Sequence, residues 1–149
     1  MADNQESRIL IFSTAYFPLV GGAEVAVKEI TQRLPDWQFD LITAKIKSGL
    51  ADFEKMGNVN IYRVGFGLSF DKFLLPFLGF LKARRLEKNN SYSLIWSVMA
   101  SQAGVAAALF KIFYQNKKLL LTIQEGDPEE HLKRYVFNIN FLYKLLIKP

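Results

Sequence analysis

Two short segments carry residue types that bind or act on ligands. The first ends in Gly21-Gly22-Ala23-Glu24 and opens directly into an amphipathic segment. Paired glycines let a ligand approach the backbone closely, and the free N–H groups of a helix start attract phosphate or carboxylate groups. The alternative is a simple turn, in which Glu24 complements the helix dipole and pairs with Lys28. The residues alone leave both interpretations open.

The second segment, 124–128, follows a short apolar run. The side chains of Gln124 and Glu125 are able to hydrogen-bond the hydroxyl groups of a sugar. Asp127 is followed by proline and, three positions on, by Glu130, which is a pattern typical of a helix N-terminus. Asp127 therefore has two candidate roles, a helix cap and a ligand contact.

Composition excludes several kinds of chemistry. The chain has 149 residues, no cysteine and one histidine, His131. Disulfides, thiolate nucleophiles and Cys-based metal sites are therefore excluded, and we expect no metal site. His131 has no evident partner that would make it a general base, so we expect it to be solvated. The net charge of +5 does not indicate a nucleic-acid partner.

Three familiar glycine motifs are missing from the sequence. There is no G-x-G-x-x-G, and no acidic residue closes the second predicted strand, so we expect no dinucleotide cofactor. The G-x-x-x-x-G-K-[ST] loop of phosphotransferases and the G-x-S-x-G elbow of serine hydrolases are also missing. We therefore expect the chain to work without a cofactor.

The elements that must position these segments alternate between strand and helix. Apolar runs predict strands at 8–13, 39–43, 59–64, 94–98 and 119–123. Helical spacing predicts helices at 23–34, 71–88, 100–113 and 129–148. We expect Asp71 to cap the second helix. This order predicts an α/β fold, a single Rossmann-like domain with a doubly wound parallel sheet. Because ligands bind beyond the carboxyl ends of such strands, the loops 13–22 and 124–128 should form the site.

The chain ends and the second helix raise separate questions. We expect residues 1–7, which are polar, to be a flexible N-terminus, with the domain over 8–149. These residues lack the features of a signal peptide, and we expect a cytoplasmic protein. The predicted helix 71–88 is rich in Phe and Leu and ends in basic residues. It is either broadly buried or rests on an anionic membrane surface, at the inner face of the membrane.

Residues 8–24, RILIFSTAYFPLVGGAE, resemble the opening of a known enzyme family. They are similar to the family 4 glycosyltransferases, which are retaining enzymes that use nucleotide sugars and have a first strand, a glycine loop and a helix here. The similarity continues through 59–64, 93–96 and 121–125, so it covers nearly the whole chain from Arg8.

The resemblance implies the N-terminal, acceptor-side domain of a two-domain GT-B enzyme, incomplete at its C-terminal end and inactive alone. A nucleotide-sugar donor and a sugar or lipid-linked acceptor would meet in the cleft with the second domain or a partner subunit. Gly21, Gly22 and Glu24 would then belong to the substrate-binding loop near the donor phosphates. The catalytic set would be Gln124, Glu125 and Asp127, which orient the sugar or the acceptor. Gln124 stands where many members have a histidine, and glutamine cannot exchange protons.

Two other functions stay open on the sequence. One is a non-catalytic domain that docks to a partner subunit or a membrane surface. The other is a small-molecule-binding Rossmann domain that needs no second domain. A linker and a second α/β domain with paired glutamates after Pro149 would favour the enzyme.

Overall fold

The computed structural model describes residues 8–123, in which strands and helices alternate. The strands are β1 (Arg8–Ser13), β2 (Gln38–Ala44), β3 (Phe53–Met56), β4 (Val59–Val64), β5 (Leu94–Val98) and β6 (Lys118–Thr122). The helices are α1 (Gly22–Gln32), α2 (Asp71–Asn89) and α3 (Gln102–Phe113). The predicted N-terminal segment 1–7 and the predicted helix 129–148 lie outside the described residues.

The strands form one sheet in the order β3-β4-β2-β1-β5-β6. Each neighbouring pair is parallel except β3 and β4, which form an antiparallel hairpin. The predicted fold, a doubly wound and mostly parallel α/β sheet, is confirmed. β3 was not predicted, because it is an exposed edge strand whose polar residues Glu54 and Lys55 hide any apolar run.

Two hydrophobic cores lie on opposite faces of the sheet. Leu10 and Phe12 of β1 pack into the core beneath α2 and α3. Ile9 and Ile11 pack into the core beneath α1, where they meet Val27. Alternate residues of one strand thus enter opposite cores, and this double burial explains the continuous apolar run of β1.

A buried stripe that includes the small residues Gly79 and Ala83 packs α2 against the rest of the domain. A Cβ added at Gly79 would lie 3.5 Å from the Cβ of Ala106 on α3, so the two helices pack closely. The buried residues of α2 recur every four positions: Asp71, Leu75, Gly79 and Ala83. The interpretation of 71–88 as a broadly buried helix is therefore wrong, since Phe73 and Phe77 are exposed. Within residues 8–123, none of the helices is long and apolar enough to cross a membrane.

The role predicted for Asp71 also needs correction. The N-cap of α2 is Phe70, and no side chain caps this helix. The buried Oδ2 of Asp71 instead accepts hydrogen bonds, 2.7–3.0 Å long, from three backbone N–H groups, those of Phe66, Gly67 and Leu68. Gly65 has a φ of 125°, and a Cβ there would lie 2.3 Å from the Asp71 Cγ. Asp71 therefore organises the loop before the helix, because this loop wraps around its carboxylate.

A second buried carboxylate joins several strands. Asp40 on β2 has no exposed surface. It accepts hydrogen bonds from the Tyr92 hydroxyl at 2.5 Å, the Asn60 amide at 2.8 Å and the Arg8 guanidinium at 3.3 Å. Burial, together with the adjacent Asp40 carboxylate, raises the pKa of Tyr92 far above its usual range. Asp40 thus connects β1, β2, β4 and the segment that precedes β5.

We expect Asp40→Ala to lower the free energy of unfolding by about 3 kcal/mol, because the donors around the carboxylate lose their buried acceptor. Urea unfolding monitored by circular dichroism measures the change. The matched control is Asp36→Ala, since Asp36 is exposed, and there we expect a change within about 0.5 kcal/mol. Equal effects of the two substitutions would contradict this account of Asp40.

Candidate functional site

The order of the strands reverses between β1 and β5. From β1 the chain continues to β2 and β4 on one side, whereas β5 and β6 lie on the other side. In doubly wound sheets, ligands bind beyond the carboxyl ends of the strands at such a reversal. Two loops leave the sheet there, 14–21 after β1 and 99–101 after β5. We call them the switch-point loops, and they form the candidate site.

The loop 99–101 was missed in the sequence, which favoured 124–128 as the partner of the first loop. β5 lies between β1 and β6, so 99–101 is the nearer neighbour of loop 14–21. Ser101, a residue type that favours helix N-termini, directly precedes α3 and was an available signal. Gln124, Glu125 and Asp127 lie outside the described residues, so their predicted catalytic roles stay predictions.

Gly21 and Gly22 lie exposed at the start of α1, as predicted. Gly21 is the N-cap and has an extended backbone. Its small size matters because a Cβ there would lie 3.0 Å from the Glu24 Oε2. The N–H groups of the first helical turn have no acceptor within the helix, so this end offers donors to an anion.

Glu24 serves as a cap of α1. Its Oε2 accepts the Gly21 N–H at 2.7 Å. Among the described residues, Glu24 forms no ion pair with Lys28, so the predicted pairing is wrong. The Lys28 ammonium instead lies 4.9 Å from the ring centroid of Phe17. The hydrogen bond from Gly21 to Glu24 fixes the glycine loop at the start of α1.

A buried arginine, Arg63 on β4, fixes the first switch-point loop. Its side chain is 1% exposed. Its Nη2 donates to the Phe17 carbonyl at 2.6 Å and to the Glu54 carboxylate at 2.7 Å, and its Nη1 donates to the Ala51 carbonyl at 3.0 Å. No role was predicted for Arg63 from the sequence. A signal existed, because strand alternation places it on the same buried face as Ile61, where a charge needs partners.

Two hydroxyl groups join the switch-point loops. Thr14 Oγ1 lies 2.8 Å from Ser101 Oγ and accepts the Ala103 N–H at 3.4 Å. Met99 has a φ of 65°, and its N–H donates to the Thr122 carbonyl at 2.8 Å. Both hydroxyls are able to donate to or accept from a ligand. Within residues 8–123, no cluster of three or more His, Asp or Glu side chains could hold a metal ion.

Tyr16 carries a buried hydroxyl beneath the first loop. The residue is 2% exposed, and its hydroxyl has no hydrogen-bond partner among the described residues. Burial raises the pKa of Tyr16 most, the negative charge of Glu24 raises it less, and together they bring it to about 12. The neutral phenol is therefore the form that the fold favours.

We expect the stability of Tyr16→Phe, relative to that of the unaltered chain, to be greater at high pH than at neutral pH. The raised pKa means that the stabilisation from the neutral phenol is complete below about pH 10 and is lost as the pH rises towards 12. The unfolding free energy of the unaltered chain should therefore fall more steeply over this window than that of Tyr16→Phe. At pH 7 the substitution should cost nothing or stabilise by up to about 1 kcal/mol, because it removes an unpaired buried hydroxyl.

Urea unfolding across the pH range measures both effects. Parallel stability curves for the two proteins, or a clear loss of stability in Tyr16→Phe at pH 7, would contradict the description of Tyr16.

We expect Arg63→Met to lower the free energy of unfolding by about 3 kcal/mol and to speed amide exchange in loop 14–21. The Leu19 N–H, which donates to the Tyr16 carbonyl at 3.1 Å, reports on that loop. Hydrogen exchange followed by NMR gives the rate. Arg33→Met is the control, because Arg33 is 71% exposed and pairs with Glu29 on the surface. Unchanged exchange at Leu19 in Arg63→Met would show that Arg63 does not hold the loop.

Among the solved structures similar to this chain are two chains of sucrose-phosphate synthase from Thermosynechococcus elongatus. One chain of that enzyme aligns with a TM-score of 0.66 at 13% sequence identity and covers 96% of this chain. Its match involves 40% of its own length, so the present chain spans less than half of it. A chain representing part of the same enzyme aligns with a TM-score of 0.58 at 15% identity, over 87% of this chain and 71% of its own.

Sequence comparisons give no further match. A scan against protein-family models finds none, and a search of curated proteins finds none either. At 13% and 15% identity the structural similarity is evidence of fold alone. The chain has a Rossmann-like fold that matches one half of a GT-B architecture.

Proposed function

We propose that this chain is the acceptor-side half of a retaining glycosyltransferase, which moves a sugar from a nucleotide-sugar donor to a sugar or lipid-linked acceptor. One observation carries the proposal: the exposed Gly21–Gly22 start of α1 lies at the switch point of a sheet with the GT-B half fold. The matched solved structures are of a sucrose-phosphate synthase, which fits glycosyl transfer as the reaction class. Retention of configuration rests on the resemblance of 8–24 to family 4.

The start of α1 supplies the chemistry that departure of a nucleoside diphosphate requires. Negative charge develops on the leaving diphosphate when the bond to the sugar breaks. Backbone N–H groups and the positive end of the helix dipole stabilise such charge without rearranging. Gly22 leaves these donors uncovered, whereas Glu24 is a positioning residue that holds Gly21 at 2.7 Å.

The remaining roles follow from the same scheme. The Thr14 and Ser101 hydroxyls, which are 2.8 Å apart, would hydrogen-bond a sugar bound at the switch point. Gln124 and Glu125 orient the sugar or the acceptor, and Asp127 joins them or caps the next helix. A second domain or a partner subunit supplies the opposite wall of the cleft. The reaction takes place in the cytoplasm, at the inner face of the membrane when the acceptor is lipid-linked.

We expect the chain to bind UDP or GDP weakly, with a Kd on the order of 1 mM, because one wall of the cleft supplies all the contacts. Gly22→Asp should weaken this binding about tenfold, since it places a negative charge beside the diphosphate. Asp is favourable in a first helical turn, so the variant should fold normally. Isothermal titration calorimetry measures the affinities.

The control is Gln32→Asp, which adds the same charge at the opposite end of α1, about 15 Å away. Screening limits its effect to about twofold or less. The proposal fails if neither diphosphate binds or if both variants weaken binding equally. Consumption of a nucleotide sugar by the chain alone would contradict the need for a second domain.

A further inference from the structure

Large apolar side chains lie exposed along the first half of α2 and the loop before it. We call this set the aromatic face: Phe66, Leu68, Phe70, Phe73, Phe77 and Leu81. The exposed fraction reaches 76% at Phe66 and 64% at Phe77. Phe73, Phe77 and Leu81 recur every four residues opposite the buried stripe of α2, so the helix turns its large apolar side chains outward.

The charged residues beside the aromatic face are positive. From Lys72 to Leu86, each charged residue of α2 is basic: Lys72, Lys82, Arg84 and Arg85. The next residue, Glu87, is acidic, but it pairs with Lys117 at 2.8 Å and is largely buried. The Arg84 guanidinium lies 5.8 Å from the ring centroids of both Phe80 and Phe113. Aromatic and cationic groups thus lie side by side on one surface.

A cavity of about 320 Å³ opens between α2 and the end of β4 and shares residues with the aromatic face. Phe66 and Leu81 contribute apolar walls, and Lys82 and Arg85 contribute two cations, whereas none of the lining residues is acidic. The Lys82 ammonium lies 4.3 Å from the ring centroid of Tyr62. The pKa of Lys82 is lowered mainly by burial and, to a smaller extent, by repulsion from Arg85. An anionic group in this cavity would add a negative charge beside Lys82 and Arg85.

We propose that the aromatic face binds the surface of an anionic lipid bilayer. The aromatic rings enter the boundary between headgroups and acyl chains, while Lys82, Arg84, Arg85 and Lys88 contact lipid phosphates. Charge complementarity selects this occupant, because a second copy of the chain would bring the same positive charges together. The proposal does not depend on the proposed glycosyl transfer and is tested without any nucleotide.

Co-sedimentation of the 149-residue chain with lipid vesicles tests the proposal. Vesicles of phosphatidylcholine and phosphatidylglycerol should bind the chain at least about tenfold more tightly than vesicles of phosphatidylcholine alone. Raised salt should weaken the binding, because the attraction to lipid phosphates is screened. Equal binding to both vesicles, or no binding, would overturn the proposal.

Two variants separate the apolar and charged contributions. Phe73→Ser with Phe77→Ser should abolish binding, and Arg84→Glu with Arg85→Glu should weaken it by about tenfold or more. The matched control for the first is Val25→Ser with Ile30→Ser on α1, where both residues are 42–45% exposed. α1 packs on the opposite face of the sheet, so this control should bind as the unaltered chain does.

Each remaining outcome has a definite meaning. A control that loses as much binding as Phe73→Ser with Phe77→Ser would overturn the assignment of this face. Self-association that these two serines abolish, without binding to vesicles, would assign the face to a second copy instead. If circular dichroism shows that the serine variant is unfolded, the charge variant and the salt dependence decide the question.

Discussion

The burial of β1 on both faces is the constraint on which the rest of the structure depends. Leu10, Ile11 and Phe12 have no exposed surface, so β1 needs a helical layer on each side and a strand at each edge. Its neighbours, β2 and β5, are both parallel to it. Parallel strands end at the same edge of a sheet, and loops 14–21 and 99–101 therefore emerge together. The hydrophobic core thus determines where a ligand would bind.

Buried polar groups then fix the loops that the hydrophobic core does not hold. Arg63 holds the Phe17 carbonyl, and Asp71 holds three N–H groups of the loop that precedes α2. A buried charge is tolerated only when its partners are in place, so each of these residues selects one loop conformation. Glu24 acts in the same way at the surface, where it keeps Gly21 at the start of α1. The switch-point loops are held in place from several sides.

Strands whose local apolar pattern shows which of their faces are buried were predictable from the sequence. The ranges of β1, β4 and β5 agree with the predicted strands, because a continuous or alternating apolar pattern records which faces are covered. The aromatic face was ambiguous, because phenylalanine composition favours burial whereas α2 packs through Gly79 and Ala83. Gly21 and Gly22 were visible as a loop before a helix. The contacts of Arg63 with Phe17 and of Ser101 with Thr14 were not, because these partners lie 46 and 87 residues away in the chain.

We propose that the carboxyl edge around β1 faces the diphosphate of a nucleotide sugar. An amide-resolved NMR titration of the chain with UDP and GDP tests it most directly. We expect saturable shifts at Gly22, Ala23 and Glu24 and at Ser101, with little change at the far end of α1. Saturable shifts that cluster on α2 instead, or the absence of shifts at millimolar nucleotide, would contradict it.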